Sequence, residues 1–219
     1  MSLIDILLEL GRGVIYTIVV TLVCSSTGLV VGLIASSLYR LEVRGLSLLI
    51  DTYTYIFRAV PVLVLLFLAY FGLPGLGIKP PPLVAMALSL GLVAGAYLTE
   101  VFRGAFNSVD PVEITAAQAM GMSRIQILRY IEIPQMLRFA IPGMVNEFTS
   151  VLKYSPFAYT VGIPEITKRA MSLTATTLDG IEIYFSVGVL YFSIYRILLV
   201  GVQFIERRYA IPSTKEITA

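Results

Sequence analysis

Histidine is missing from this 219-residue sequence, and cysteine occurs once, as Cys24 inside an apolar run. Without histidine there is no Ser–His or Cys–His pair, and most zinc chemistry is excluded. A single cysteine closes no internal disulfide, and no CxxC pattern is present. Charge is scarce too: Asp, Glu, Lys and Arg make up 14% of the chain, against about 25% in an average soluble domain. The net charge of +2 is too small to point to a nucleic-acid partner. No GxxxxGK[ST] loop is there to cradle a nucleotide. No nucleophile–base or metal constellation marks a membrane-bound enzyme. No internal repeat is visible, which argues against a carrier with both inverted halves on one chain. Asn, Gln and Cys are few, a weak hint of a thermophilic source.

Apolar residues are what the chain has instead, at 57% with a mean hydropathy of +0.86. They fall into five runs that read as membrane spans: Val14–Leu38, Leu46–Phe71, Leu83–Phe102, Leu137–Leu152 and Ile183–Ile205. All but the fourth approach the ~20 residues that a spanning helix needs. The fourth is short and interrupted by Pro142, Asn146 and Glu147, which suits a helix facing other helices or a water-filled cavity. The expected fold is an all-α integral membrane protein, residues 1–219 forming one transmembrane domain. Asp5 and Glu9 stand where a signal peptide would carry positive charge, so no cleavable signal is expected. Ser2–Leu10 reads as a short amphipathic helix lying in the interface.

Lys and Arg placement sets the orientation. Arg40, Arg44, Arg103, Arg124, Arg129, Arg138, Arg207, Arg208 and Lys215 fall on one side; Arg12, Lys79, Lys168 and Arg169 fall on the other. The first set should be cytoplasmic, with the N-terminus outside and the C-terminus inside. Gly72–Pro82 and Tyr154–Glu182 are then outer links, and Gly104–Leu137 the main inner one. Gly28, Gly32 and Ser36 recur every four residues, as do Ala87, Gly91, Gly95 and Thr99. Such stripes let helices approach closely, and ordinary helix packing is their expected role.

The inner link reads as helix, glycine turn, helix. Asp110 is an N-cap, Pro111 takes the first helical position, and Glu113 completes a capping-box spacing. Gly121 ends the helix. Ser123-Arg-Ile-Gln126 opens a second box, with a helix running to Pro134. The small apolar centre of the first helix (Ala116, Ala117, Ala119, Met120) suits a groove on a partner, or equally the inner ends of its own bundle.

The stretch Glu113-Ile-Thr-Ala-Ala-Gln-Ala-Met-Gly-Met-Ser, followed by Ile133-Pro134-Gln135, resembles the EAA motif of binding-protein-dependent ABC importer permeases. Phe57-Arg-Ala-Val-Pro61, Tyr70-Phe-Gly-Leu-Pro74, Ala96-Tyr-Leu-Thr-Glu100 with Arg103-Gly104, and Pro142 to Asn146-Glu-Phe148 resemble its polar amino-acid branch. The similarity runs from about Gly11 to Ile205. It implies a type I ABC importer permease-like fold, with five transmembrane helices and a cytoplasmic coupling helix. Glu113, Thr115, Ala116, Ala117, Met120 and Gly121 would form the surface that couples to cytoplasmic ABC ATPase subunits. The resemblance implies no cofactor in this chain, since the ATPase binds ATP and Mg. It also implies a second permease subunit (a copy or a paralogue), an extracytoplasmic solute-binding protein, an amino-acid substrate, a lipid surround and a prokaryotic cytoplasmic membrane. Thr115 stands where the family has glutamate, so the coupling contact should rest on small-residue fit more than on charge. Tyr154 and Pro156 also depart from the family's pattern after Lys153.

Ionisable groups at membrane depth are costly and usually face a cavity or a partner. Here they are Arg58, Glu100, Glu147, Lys153 and Arg196. At ~1.5 Å rise per residue, Arg58 lies roughly 10–18 Å from the inner end of its span, Glu147 about 15 Å and Glu100 about 5 Å. Depth therefore favours an Arg58–Glu147 pair over Arg58–Glu100, although an arginine side chain is long enough to leave both open. Pro61, a turn beyond Arg58, frees a backbone carbonyl that could line a cavity. One reading is a zwitterion site, with Arg58 toward a carboxylate, Glu147 toward an amino group and Asn146 as an orienting amide. The other is a buried ion pair that sets helix register. A separate alternative for the whole chain is an ion-gradient carrier or channel with Arg58, Glu100 and Glu147 as its relay.

Overall fold

A computed structural model describes residues 3–42 and 45–209, with side chains through residue 201. Ser2, Arg44 and Lys215, and the side chains of Ile205, Arg207 and Arg208, lie outside the described residues. Every regular element among the described residues is helical: α1 (Leu3–Arg40), α2 (Leu46–Ala59), α3 (Val62–Phe67), α4 (Pro82–Met86), α5 (Leu92–Phe106), α6 (Pro111–Ala119), α7 (Arg124–Ile127), α8 (Ile133–Tyr154), α9 (Ile166–Thr177) and α10 (Gly180–Tyr209).

Three of the described helices are long and apolar enough to cross a membrane: α1, the rod Pro82–Phe106 and Gly180–Gly201 of α10. The rod is α4 and α5 joined by a π turn, Ala87–Gly91. The expected span Leu46–Phe71 is not one straight helix, because α2 and the following Val62–Leu76 meet at a bend of 104°. The cause is Pro61, whose ring leaves no room for a continuous turn and holds Val60 extended at φ −87°, ψ 132°. Counted as one span, that bent pair would bring such helices to four among the described residues. α8, with 22 residues, is long enough to cross but too polar to face lipid.

The 38 residues of α1 give a rod of about 57 Å, well beyond a ~30 Å hydrocarbon core. Residues 3–10 are therefore no separate interfacial helix, contrary to the sequence expectation. Ile6 and Leu10, four residues apart, are buried against Ile166, Ala170, Ile183 and Val187 of α9 and α10. That contact keeps the chain helical past the membrane surface. The outer link 154–182 is likewise structured, containing a 3-10 turn (Ser155–Val161) and α9.

α1 lies along α5 because two glycines let it. A Cβ at Gly28 would sit 2.8 Å from the Ala94 Cβ, and one at Gly32 2.8 Å from the Leu98 Cβ. The small-residue stripes thus serve helix packing, as expected from their spacing. Tyr53 of α2 is tied to the same pair, its hydroxyl donating to the Leu92 carbonyl at 2.6 Å.

Candidate functional site

α6 is built as its sequence spells it, with one exception. The Asp110 side chain accepts from the Val112 amide at 2.8 Å, and Pro111 opens the helix. Glu113 does not turn back to complete a capping box; its carboxylate accepts from the Gln135 side-chain amide at the base of α8. Gly121 takes φ +83°, the left-handed conformation that costs glycine least. Its amide donates to the Gln118 carbonyl, and the Met122 amide to Ala117, which is a Schellman closure. The Ser123–Gln126 capping box follows at once, both of its bonds formed. The next helix does not stop at Pro134. α7, a π turn (Leu128–Glu132) and α8 form one continuous run. The wider turn before Pro134 makes room for the ring and for the missing N–H.

The exposed face of α6 is narrower than expected. With 3.6 residues per turn, Val112, Thr115, Ala116 and Ala119 share one side, and all four are exposed, as are Glu113, Met120 and Gly121. Met120 is 84% exposed and Val112 70%. Ala117 turns the other way and is buried within the chain. Ala117 thus packs on its own bundle, as one of the two readings expects, and the opposite face is left exposed. Thr115 donates its hydroxyl to the Pro111 carbonyl at 2.9 Å, so that proton is already used.

Three arginines gather at this end of the molecule. Arg40 and Arg124 both bind the wholly buried Glu132 carboxylate, at 2.7 and 2.6 Å. Arg103 reaches Asp51 and Glu100, both at 2.9 Å, with its guanidinium 3.8 Å from the Tyr39 ring centre. Arg40, Arg103 and Phe106 help to line a cavity of about 160 Å³ there. At the opposite end Glu9 joins Arg12 and Arg169. Glu165 caps α9, accepting from the Thr167 and Lys168 amides at 2.8 and 2.7 Å and from the Tyr191 hydroxyl at 2.8 Å. Burial pushes the Glu165 carboxyl above its ordinary value despite those donors. The sequence reading assigned no role to Glu132, Asp51, Glu165 or Tyr191. Glu132 had a signal: it is the one charge in the i, i+4 series Leu128, Glu132, Met136, Ala140.

Neither ion pair expected within the membrane forms. Arg58 is exposed at the end of α2, its guanidinium 5.2 Å from the Tyr97 ring centre. Glu100 is taken by Arg103. Glu147 is buried and has no hydrogen-bond or ion-pair partner among the described residues. Depth along an axis says nothing about azimuth: Arg58 leans onto α5, while Glu147 lies on the packed side of α8. Pro61 sits exposed at the bend. Pro142, Asn146 and Lys153 are exposed and Ser150 partly so, at helical spacing along one face of α8. Lys153 Nζ lies 5.6 Å from the Tyr195 ring centre, beside a groove of about 470 Å³ that Tyr191 and Phe192 also line. Arg196 is exposed on α10.

Residues 28–211 match the family described as binding-protein-dependent transport system inner membrane component. The probable amino-acid ABC transporter permease protein YckA of Bacillus subtilis is 31% identical over 199 residues, 91% of this chain and 88% of the relative. HisQ of Escherichia coli, a histidine/lysine/arginine/ornithine transport system permease protein, is 31% identical over 211 residues, with 91% and 92% covered. Among solved structures, an amino acid ABC transporter crystallised with histidines aligns at a TM-score of 0.83 and 27% identity, covering 95% of this chain and 99% of that one. The MetNI methionine ABC transporter, inward facing, shares the fold at a TM-score of 0.80 and 21% identity, with 96% and 100% covered. These matches leave the ion-gradient carrier or channel without support. ATP hydrolysis in such systems belongs to a separate subunit. The chain therefore belongs to the inner-membrane components of binding-protein-dependent transport systems, as a permease subunit of an ABC importer.

Proposed function

We propose that the chain imports a polar amino acid as one half of a permease dimer, driven by cytoplasmic ATPase subunits that seat on α6. The observation that carries this reading is the exposed small-residue face of α6 (Val112, Thr115, Ala116, Ala119, Met120), held rigid by a cap at each end. A helix with an unpartnered face of that kind fits a groove on another protein. Glu113 and Gly121 border it. Arg40, Arg103 and Arg124 lie at the same end, which supports a cytoplasmic placement by the positive-inside rule. The N-terminus is then outside and the C-terminus inside. ATP and Mg belong to the ATPase, and an extracytoplasmic solute-binding protein delivers the substrate to the opposite end.

Few spans enclose little, so the path runs between two permease subunits. The polar face of α8 supports this: Asn146 and Lys153 are exposed, and Ser150 partly so, on a helix that has no reason to meet lipid. Glu147 and Arg58, each without an ion-pair partner among the described residues, are free to bind the amino and carboxylate groups of a zwitterion, with Asn146 orienting it. Pro61 keeps the chain open at the bend beside Arg58. Glu100, held by Arg103, serves the inner mouth rather than the substrate.

Affinity purification from the native membrane tests the coupling surface. An ATPase should co-purify and be lost on Met120→Asp. Ala117→Asp is a poor probe, because it buries a charge within the chain. Purification of the permease without any ATPase would sink the proposal.

A further inference from the structure

Glu132 is a wholly buried charge at the base of the α7–α8 run, in a position that neighbouring turns fill with Leu128, Met136 and Ala140. Its two carboxylate oxygens are held by different elements. Arg40 Nε, from the last residue of α1, donates to Oε1, and Arg124 Nη1, from the first residue of α7, donates to Oε2. Arg124 also donates through Nη2 to the Arg40 carbonyl at 2.9 Å, so the three residues form a closed ring. The Arg40 guanidinium lies 5.9 Å from the Phe106 ring centre at the end of α5.

From α6 to α8 the chain has no loose joint. The Schellman turn, the Ser123 capping box and the π turn follow one another without a free residue. The Glu113–Gln135 bond closes the same unit from the other side. α6 must therefore move with the base of α8. α1 belongs to a separate stretch of chain, and the Arg40–Glu132–Arg124 ring is its polar link to that unit. The two arginine side chains are 30% and 37% exposed and can turn to water, whereas the carboxylate is 0% exposed and cannot. Such a contact is either whole or broken, with no cheap intermediate.

We propose that Glu132 is a positioning residue that makes α1 follow α6, so that a displacement imposed on α6 reaches the membrane through α1 as well as α8. The proposal rests on the reading of α6 as the ATPase-docking helix. The ring is one discrete arrangement linking two rigid elements, which is what carriage of a displacement requires.

The test is a distance between spin labels on Ile34→Cys, on the exposed side of α1, and Gln118→Cys on α6, in the purified permease–ATPase complex. The native Cys24 is buried and stays unlabelled. In the otherwise unaltered protein, nucleotide-free and ATP–vanadate-trapped complexes should give one and the same narrow distance. In Glu132→Gln the distance should shift between the two states, because α6 moves and α1 no longer follows. A purely structural role would lower yield or melting temperature without a nucleotide-dependent shift. Arg40→Gln, which removes the ion pair between α1 and the α7–α8 run but leaves Glu132 bound to Arg124, replaces Glu132→Gln if that variant does not accumulate. A nucleotide-dependent distance in the unaltered complex overturns the proposal, as does an unchanged distance in the variants. Failure of the docking reading shows separately, as a complex that retains no ATPase, and the proposal then falls with it.

Discussion

Two acidic side chains, one outside the membrane and one within it, carry testable consequences at the scale of single residues. Glu165 is wholly buried at the cap of α9, and burial raises its carboxyl above the ordinary value of 4.5. A carboxyl with a raised folded-state pKa holds its proton more tightly when folded. Its contribution to stability therefore falls as pH climbs from the unfolded value through the folded one. Melting temperatures of the protein and of Glu165→Gln, compared from about pH 8 down to about pH 5, should show the difference moving in favour of Glu165 on acidification. A constant difference would mean that the three donors around the carboxylate outweigh its desolvation. Glu147 makes the second case. Loss of one charge-assisted hydrogen bond costs about 1.5–3 kcal/mol, so Glu147→Gln should weaken uptake of a cationic or zwitterionic amino acid by roughly 10- to 100-fold while the ATPase stays bound. Unaltered uptake kinetics in that variant would remove Glu147 from the path.

Helix packing rests on where side chains are missing. Gly32 lets α1 approach α5 until an added Cβ would overlap the Leu98 Cβ at 2.8 Å and crowd the Gly95 carbonyl at 3.2 Å. Neither neighbour is a flexible side-chain end, so Gly32→Val should lower stability by about 1–3 kcal/mol, the usual cost of overpacking. Gly11, on the same helix, has nothing within 4 Å of an added Cβ. Gly11→Ala should instead gain up to about 1 kcal/mol from helix propensity alone. Thermal unfolding in detergent separates the two, and a reversed order would mean that α1 does not lie on α5 as described. The glycine stripe was legible in the sequence because packing in lipid selects small residues at a fixed spacing. So was α6, whose start and stop are written in Asp110, Pro111, Gly121 and Ser123. α9 was not, because its mean composition is polar and its burial comes only from Ile166 and Ala170 meeting α1 and α10. The 104° bend had its cause in view at Pro61, but a hydropathy run does not register direction. The Arg58–Glu147 pair failed for a related reason: residue counting fixes depth and leaves rotation about the helix free. Glu132 escaped notice because its meaning depends on Arg40, 92 positions away.

The whole molecule presents two kinds of exposed surface, and water should tell them apart. Val30 and Ile34 on α1, and Phe185 and Val189 on α10, are exposed apolar side chains of spanning helices, which is the chemistry of a lipid boundary. Asn146 on α8 is exposed and polar at comparable depth, and Ser150 partly so. An uncharged hydrocarbon surround would leave the Asn146 side-chain amide unsatisfied at a cost of several kcal/mol, whereas the Ser150 hydroxyl donates to the Asn146 carbonyl at 3.0 Å. On the proposed reading both are turned toward water along the path between two permease subunits. Single cysteines at Asn146 and Ser150 should react with a charged, membrane-impermeant thiol reagent at least about tenfold faster than cysteines at Ile34 or Val189, because only a hydrated thiol ionises to the reactive thiolate. Saturating substrate-loaded binding protein together with ATP should change the rates at Asn146 and Ser150 and leave those at Ile34 and Val189 alone. Equal, slow labelling at all four sites would place the α8 face against lipid or packed protein, and the translocation path would then have to run along another helix.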